Sequence, residues 1–283
     1  MKATVKESGP LLDFLLEMMQ TTKKKSGRQM LKYSHVKVDG ATVKLANYPL
    51  KPGQVVAIDR ENRPPRKLPG TPKGSVRILY EDEAIIVVDK PSGVLSMETD
   101  REKDQTMQAL LSEYVRTQGG HRVFVVHRLD RNVAGVMVFA KTVEAQTDIQ
   151  LNWEHASKKY LALVEGVPKE PSGRIETWLE EISVAKVIVT HQSPRAKYSI
   201  TDYTTRKSKD GVTLLDIKLR TGRRHQIRVH LAHIGCPIIG DRVYGTATPR
   251  SKDILLFAYL LSFRHPQTGR MVTFKATLPN WAK

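Results

Sequence analysis

The sequence predicts an α+β chain, with a mainly antiparallel mixed sheet preceded by a small domain of helices and short strands. Three observations carry this. Apolar, β-branched runs recur along most of the chain, joined by hairpin-length or irregular loops rather than regular crossover helices, a pattern that favours antiparallel pairing. The stretch ENRPPRKLPGTPKGS at 61–75 is rich in Pro, Gly and bases, has one apolar side chain, Leu68, and reads as a linker. The 283 residues suffice for about two domains at roughly 150 residues each. The expected division is 1–60, a linker at 61–75, and 76–283.

Taken in order, Leu11 to Gln20 reads as a short amphipathic helix. Lys23, Lys24 and Lys25 follow, then Ser26 as the N-cap of a second helix that includes Arg28 and runs to Tyr33. Asp39-Gly40 is a tight-turn signal between two short strands. A turn at Leu50 to Gly53 precedes a closing strand, Val55 to Ile58. Beyond the linker, strands are expected at Ile85–Val88, Val123–Val126, Val136–Ala140, Tyr160–Val164, Val184–Thr190 and Thr213–Arg220. Helices are expected at Gln105–Val115, Thr142–His155 and Arg224–Ile234, the last closed by Gly235.

The charge is the most unusual feature. There are 46 Lys and Arg against 29 Asp and Glu, a formal +17. Up to Arg77 the numbers are 16 and 6, a net of +10, so about a quarter of the chain holds more than half of the excess. Such an excess points to a polyanion, nucleic acid before an anionic membrane surface. No run approaches the roughly 18 apolar residues of a membrane span; the longest nearly apolar one, Ile254 to Phe263, contains Ser262. The N-terminus lacks the uncharged core of a signal peptide. The single cysteine, Cys236, excludes an internal disulfide and any cysteine-based zinc site, and reads as a small buried hydrophobe. The expected compartment is the cytoplasm.

Three segments stand out for chemistry. In HRLDR (127–131) a carboxylate lies between two arginines in a turn between apolar strands; the cations favour its charged form, which suits a nucleophile or base. Taken alone, an aspartate in a loop is more commonly a turn or ion-pair residue. From Arg220 to Arg228 there are four arginines in nine residues, on a loop entering a helix, a plausible phosphate surface. Lys158-Lys159-Tyr160 places an aromatic after a basic pair. His225, His230 and His233 do not make a metal site: only the last two share a helical face, and no HExxH accompanies them. Walker and GxGxxG loops are also lacking, so no metal or small-molecule cofactor is expected.

Five segments in order then identify a resemblance: YEDEAIIVVDKPSGV (80–94), HRLDRNVAGVMVFAK (127–141), KKYLALVEG (158–166), LRTGRRHQIRVHLAHIGCPIIGDRVYG (219–245) and FRHPQTGRMVTFKATLP (263–279). They resemble the RluA-type pseudouridine synthases over essentially the whole chain after the linker. SGRQMLKYSHVKVDG and LKPGQVVAI, within residues 11–59, resemble the alpha-L RNA-binding domain first known from a small-subunit ribosomal protein. The resemblance implies an RNA pseudouridine synthase, in which uracil leaves C1′ of the ribose, turns, and rejoins through C5. It implies Asp130 as the catalytic aspartate, attacking covalently or helping to form and capture a reactive sugar intermediate. It implies Arg228 as the basic partner of that aspartate and Tyr160 as the active-site tyrosine, stacking on a uracil taken out of its helix. Arg128, Arg131, Arg223, Arg224, Lys23, Lys24, Lys25 and Arg28 are the candidate RNA contacts. Ile217 and Leu219 are expected in the core, one of them lining the uracil pocket.

Two departures accompany the resemblance. Asp89 stands where the family usually has Asn, and Asn132-Val133-Ala134-Gly135 replaces the usual Asp-Thr-Ser-Gly. The alpha-L domain suggests large-subunit ribosomal RNA as substrate, with transfer RNA as the alternative and a monomer as the default. A non-catalytic RNA-binding or ribosome-assembly factor keeping this fold would have no need of Asp130. A metal-dependent nuclease would need a carboxylate cluster that the sequence does not offer.

Overall fold

A computed structural model describes residues 2–18, 31, 35–59, 66–67, 76–100, 102–246 and 250–283. Lys23, Lys24, Lys25, Arg28 and most of the expected second helix lie outside the described residues. The chain divides into two compact units, Met1–Pro65 and Arg66–Lys283.

In the first unit, strands β1 (Lys2–Thr4), β3 (His35–Val38), β4 (Ala41–Thr42) and β6 (Val55–Asp59) form one sheet in the order β1-β6-β3-β4. The short strands β2 (Gly9–Pro10) and β5 (Pro49–Leu50) pair beside helix α1 (Leu11–Met18). Asp39 and Gly40 adopt φ of 49° and 87°, as a two-residue hairpin turn of the right twist requires. The Asp39 carboxylate also accepts the Val55 N–H at 2.8 Å. Leu11, Leu12 and Leu15 of α1 pack with Val36, Val38, Val56 and Ile58 to form the core.

The second unit is built on one twelve-stranded sheet. Its strands are β7 (Arg66–Lys67), β8 (Arg77–Glu81), β9 (Ile85–Lys90), β10 (Phe124–Val125), β11 (Ala134–Ala140), β12 (Ser157–Glu165), β13 (Ser172–Glu181), β14 (Val187–Thr190), β15 (Lys197–Lys209), β16 (Val212–Leu219), β17 (Leu256–Arg264) and β18 (Met271–Lys275). The order is β14-β13-β15-β16-β12-β17-β11-β9-β8-β7, with β10 beside β11 and β18 beside β17. The pairing of β11 with β17 is parallel; the other ladders are antiparallel. Arg66–Lys67 pairs with β8 inside the segment expected to be a linker; prolines on both sides restrict such an edge strand to two residues.

Helices α2 (Met107–Arg116), α3 (Val143–Leu151) and α4 (Gln226–His233) cover the sheet. Threonine hydroxyls cap two of them, Thr106 on the N–H of Ala109 and Thr142 on that of Ala145. Helix α3 stops at Leu151, and a short 3-10 turn carries Trp153–His155, where a single helix to His155 was expected. The alternate residues of β9 explain its unbroken apolar run. Ile86 and Val88 join Met107 and Leu111 of α2 and Leu231 of α4 on one face. Ile85 and Val87 join Ala145 and Ile149 of α3 on the other. A strand covered on both faces has no polar positions to alternate.

One row of residues crosses the sheet centre. Lys90 (β9) stands opposite Gly135 (β11), Gly135 opposite Ala258 (β17), Ala258 opposite Tyr160 (β12), and Tyr160 opposite Ile217 (β16). Gly135 has φ +128°, and a Cβ there would overlap the Ala258 backbone. Only glycine lets β11 come this close to β17.

Candidate active site

The HRLDR loop joins β10 to β11 and sits above that row. The loop is held from beneath by the segment after β9. Ser96 Oγ accepts the Leu129 N–H at 3.0 Å and donates to the Leu129 carbonyl at 2.7 Å. Ser92 Oγ donates to the Asn132 carbonyl at 2.9 Å. Lys90, fully buried, donates from Nζ to the carbonyls of Arg131 and Pro91, both at 3.0 Å. Burial brings its amine down to about 7, with Asp130 opposing that shift and Arg131 adding to it. Within the loop, the Val133 N–H returns to the Asp130 carbonyl at 3.0 Å, and the Val133 side chain is buried in the core. The residue that departs from the family pattern here thus exchanges a hydroxyl for apolar packing. Asp89 pairs with Arg77 of the adjacent strand at 3.9 Å.

Helix α4 brings the second half. Its Gln226 and His230, one turn apart, face the sheet. Gln226 Nε2 donates to the Ile200 carbonyl and Thr201 Oγ1, each at 2.9 Å. His230 sits between Thr177 Oγ1 and Thr201 Oγ1, 2.9 Å from each. His225 and Arg228, three apart, reach the loop instead. Arg228 Nη1 donates to Asp130 Oδ2 at 3.1 Å. The same guanidinium forks onto Asp241, with Nε to Oδ2 at 2.7 Å and Nη2 to Oδ1 at 2.8 Å. Asp241 also accepts the N–H groups of Val243 and Tyr244. Burial works against both charges. The Arg228 fork and the two N–H donors nevertheless hold Asp241 below the usual carboxylate range, and the carboxylates hold Arg228 above its ordinary value. Arg228 is thus a fixed cation whose remaining nitrogen, Nη1, is aimed at Asp130.

Tyr160 is buried in the core beside Ile217 and Leu219. Burial first, and the charge of Asp130 second, push its phenol above the ordinary value. His127, three residues before Asp130, turns to the back of β11. Its Nε2 accepts the Val138 N–H at 3.2 Å and its ring lies 4.7 Å from that of Trp153. The structure therefore brings together Asp130, Arg228 and, through the sheet row, Tyr160. Arg128 is exposed on the same loop. Arg131 pairs with Glu102 at 2.7 Å, Arg224 with Glu181 at 3.6 Å, and Arg223 is exposed. The loop before α4 is longer than expected: the helix begins at Gln226, with His225 in a left-handed conformation, φ 53°. Sequence reading assigned no role to Asp241, Tyr244 or Lys90, although all three lie inside the quoted segments.

Burial also makes stability depend on pH. Burial brings the His230 imidazole down to about 4 and that of His127 to about 3, against roughly 6.5 in the unfolded chain. The unfolded state therefore binds more protons below 6.5. Stability present above that pH is lost as pH falls toward 4. For His230 the loss is about 1.4 kcal/mol per pH unit across that window. Thermal unfolding followed from pH 8 to pH 4 should show the melting temperature falling from about 6.5 downward. An unchanged melting temperature down to pH 5 would contradict the buried neutral imidazoles.

Known proteins resemble this chain in sequence and in fold. A family model described as RNA pseudouridylate synthase matches residues 84–233. The chain is 33% identical over 274 residues to an uncharacterized RNA pseudouridine synthase of Aquifex aeolicus, covering 90% of this chain and 86% of that one. It is 34% identical over 245 residues to ribosomal large subunit pseudouridine synthase D of Nitrosomonas europaea, covering 80% and 68%. It is 33% identical over 210 residues to the dual-specificity RNA pseudouridine synthase RluA of Escherichia coli, covering 70% and 91%. Among solved structures, human RNA pseudouridylate synthase domain containing 4 has the same fold, with a TM-score of 0.61 at 22% identity over 72% of this chain and 89% of that one. On the extent of this similarity, the chain belongs to the RNA pseudouridine synthase family and is an isomerase.

Proposed function

We propose that this protein converts uridine to pseudouridine in large-subunit ribosomal RNA, with Asp130 as the catalytic carboxylate. The observation that carries the reading is the Arg228 guanidinium, fixed by buried Asp241 and donating to Asp130 Oδ2 at 3.1 Å. It supplies a cation that stays beside the carboxylate when RNA displaces water from the site. The reaction is an isomerisation: the N1–C1′ bond breaks, C5–C1′ forms, C5 loses its proton and N1 gains one. Asp130 meets the electron-poor C1′ while the uracil is free to turn.

Two relatives named as acting on the ribosomal large subunit support the substrate class. The net +10 up to Arg77 supports a first domain that adds RNA affinity, as an alpha-L domain would, and Arg128 and Arg223 would add phosphate contacts beside the site. The protein acts in the cytoplasm as a monomer in this reading. Pseudouridine mapping of total RNA from cells with and without the gene tests it. A site lost from large-subunit ribosomal RNA supports the proposal. A site lost from transfer RNA overturns the substrate, and no lost site would return the protein to the RNA-binding class.

Tyr160 gives a graded prediction. Its ring would form the wall against which the displaced uracil lies, with Ile217 and Leu219 behind it. Base–aromatic stacking is worth about 1–3 kcal/mol per base, so Tyr160→Ala should lose roughly 5- to 150-fold in kcat/KM beyond Tyr160→Phe. The assay is run well below each variant's melting temperature, because removing a buried ring costs about 3–5 kcal/mol of stability. Equal losses in the two variants would assign the role to the hydroxyl instead.

A further inference from the structure

His225 is the one non-glycine residue of the site held at positive φ, 53°, and the family reading gives it no task. Strain of this kind persists where surrounding structure over-determines it. Here the surrounding structure is a chain of donors. The Val187 N–H donates to the Tyr244 phenol oxygen at 2.8 Å. That oxygen is 2.9 Å from His225 Nδ1. Val187 takes one acceptor position of that oxygen, and the Tyr244 hydroxyl proton can then point to Nδ1. A neutral imidazole that accepts at Nδ1 carries its proton on Nε2. Burial, together with Arg228 and Arg224, keeps the ring below its ordinary value and therefore neutral near pH 7, with Asp130 opposing them.

The proton so placed faces the carboxylate. His225 Nε2 is 3.8 Å from Asp130 Oδ2, the same oxygen that Arg228 holds at 3.1 Å. Among the described residues, Oδ1 has no hydrogen-bond partner. The gap to Nε2 is too long for a hydrogen bond, but catalytic contacts commonly tighten only when substrate fills a site.

We propose that His225 is a positioning residue for Asp130: its Nε2–H, fixed by Tyr244, closes on Oδ2 in the RNA complex and, with Arg228, leaves Oδ1 as the oxygen that meets C1′. This rests on the reading of Asp130 as the catalytic carboxylate. Two donors on one oxygen set the rotation of the carboxylate, which Arg228 alone leaves free to pivot about a single contact.

The test compares side chains that separate backbone comfort from donor placement. Asn tolerates the left-handed conformation best, but its amide reaches only to the level of Nδ1. Gln fits that conformation less well, yet places an N–H near the position of Nε2. The substrate is total RNA from cells lacking the gene. The readings are kcat and KM for pseudouridine formation, RNA affinity and melting temperature. We expect His225→Gln to stay within a few-fold of wild type. His225→Asn and His225→Phe should lose roughly 10- to 100-fold in kcat, the scale of a hydrogen bond to a charged group, with KM nearly unchanged. Tyr244→Phe should lose kcat in the same direction by releasing Nδ1. An Asn variant as active as the Gln variant, or losses confined to KM or to folding, would overturn the positioning role. Unchanged kcat in Tyr244→Phe would overturn the assignment of the proton to Nε2. Asp130→Asn is measured alongside. If it stays active, the catalytic reading itself has failed, a result separable from failure of His225 alone.

Discussion

Asp130→Asn should lower pseudouridine formation by at least about ten-thousandfold, the scale seen when a central member of a nucleophilic constellation is removed, while RNA binding survives. The substitution preserves volume and leaves an amide oxygen that can accept from Arg228 Nη1 where Oδ2 now does, at 3.1 Å. The loop keeps its other supports: Ser96 to Leu129, Ser92 to Asn132, and Lys90 to Arg131. Arg228 keeps its fork on Asp241. Folding and RNA contact are therefore expected to change little, and the negative charge at C1′ is what is lost. Turnover on unmodified RNA and a parallel binding titration decide the matter. Turnover within about tenfold of wild type, equivalent to only about 1.4 kcal/mol in the barrier, would mean that another group does the chemistry.

How much of this was legible in the sequence depends on what covers each element. The apolar runs at Ile85–Val88 and Val136–Ala140 could be read as strands because both faces are buried. Strands β13 and β15 carry SGRIETWLEE and KYSITDYTTRKSK, in which charged and hydroxyl residues are interspersed along the whole length. They pack on α4 through Thr177, Thr201 and Leu179, two of which are themselves hydroxyl residues. Such half-polar segments resemble solvated loops, and neither was expected. The run at Ile254–Phe263, too short for a membrane span, supplies most of β17, an inner strand flanked by β12 and β11. Asp130, Arg228 and Tyr160 were singled out by their motifs. Asp241 and Lys90 were not, because GDRVYG and DKPSG have the composition of surface turns. Only their burial, at 1% and 0% exposure, reveals a counter-ion and a loop anchor. The left-handed His225 delays to Gln226 the start of the helix expected over Arg224–Ile234, since backbone conformation at one residue leaves no trace in periodicity.

Arg228 carries the second large effect, and here two roles must be separated. It neutralises Asp241, whose side chain is fully buried, and it holds Asp130. Arg228→Met leaves Asp241 charged with only the N–H groups of Val243 and Tyr244, and breaking one side of a buried ion pair costs about 3–5 kcal/mol. Loss of activity in that variant alone would say nothing about chemistry. Arg228→Lys keeps the charge, but a single ammonium cannot fork onto Asp241 and also reach Asp130. It should fold less stably and lose at least about a hundredfold in kcat, as expected when a buried charge partner of the reacting group is misplaced. The decisive variant is the double substitution Arg228→Met with Asp241→Asn. The Asn oxygen still accepts from Val243 and Tyr244, and no buried charge remains uncompensated, so stability should recover to within about 1.5 kcal/mol of wild type, as buried pairs replaced by neutral groups do. Activity should not recover, because Asp130 has lost its cation. Chemical denaturation and turnover measured on the single and double variants form a cycle. Recovery of both stability and activity in the double variant would reduce Arg228 to a counter-ion for Asp241 and remove it from the chemistry at Asp130.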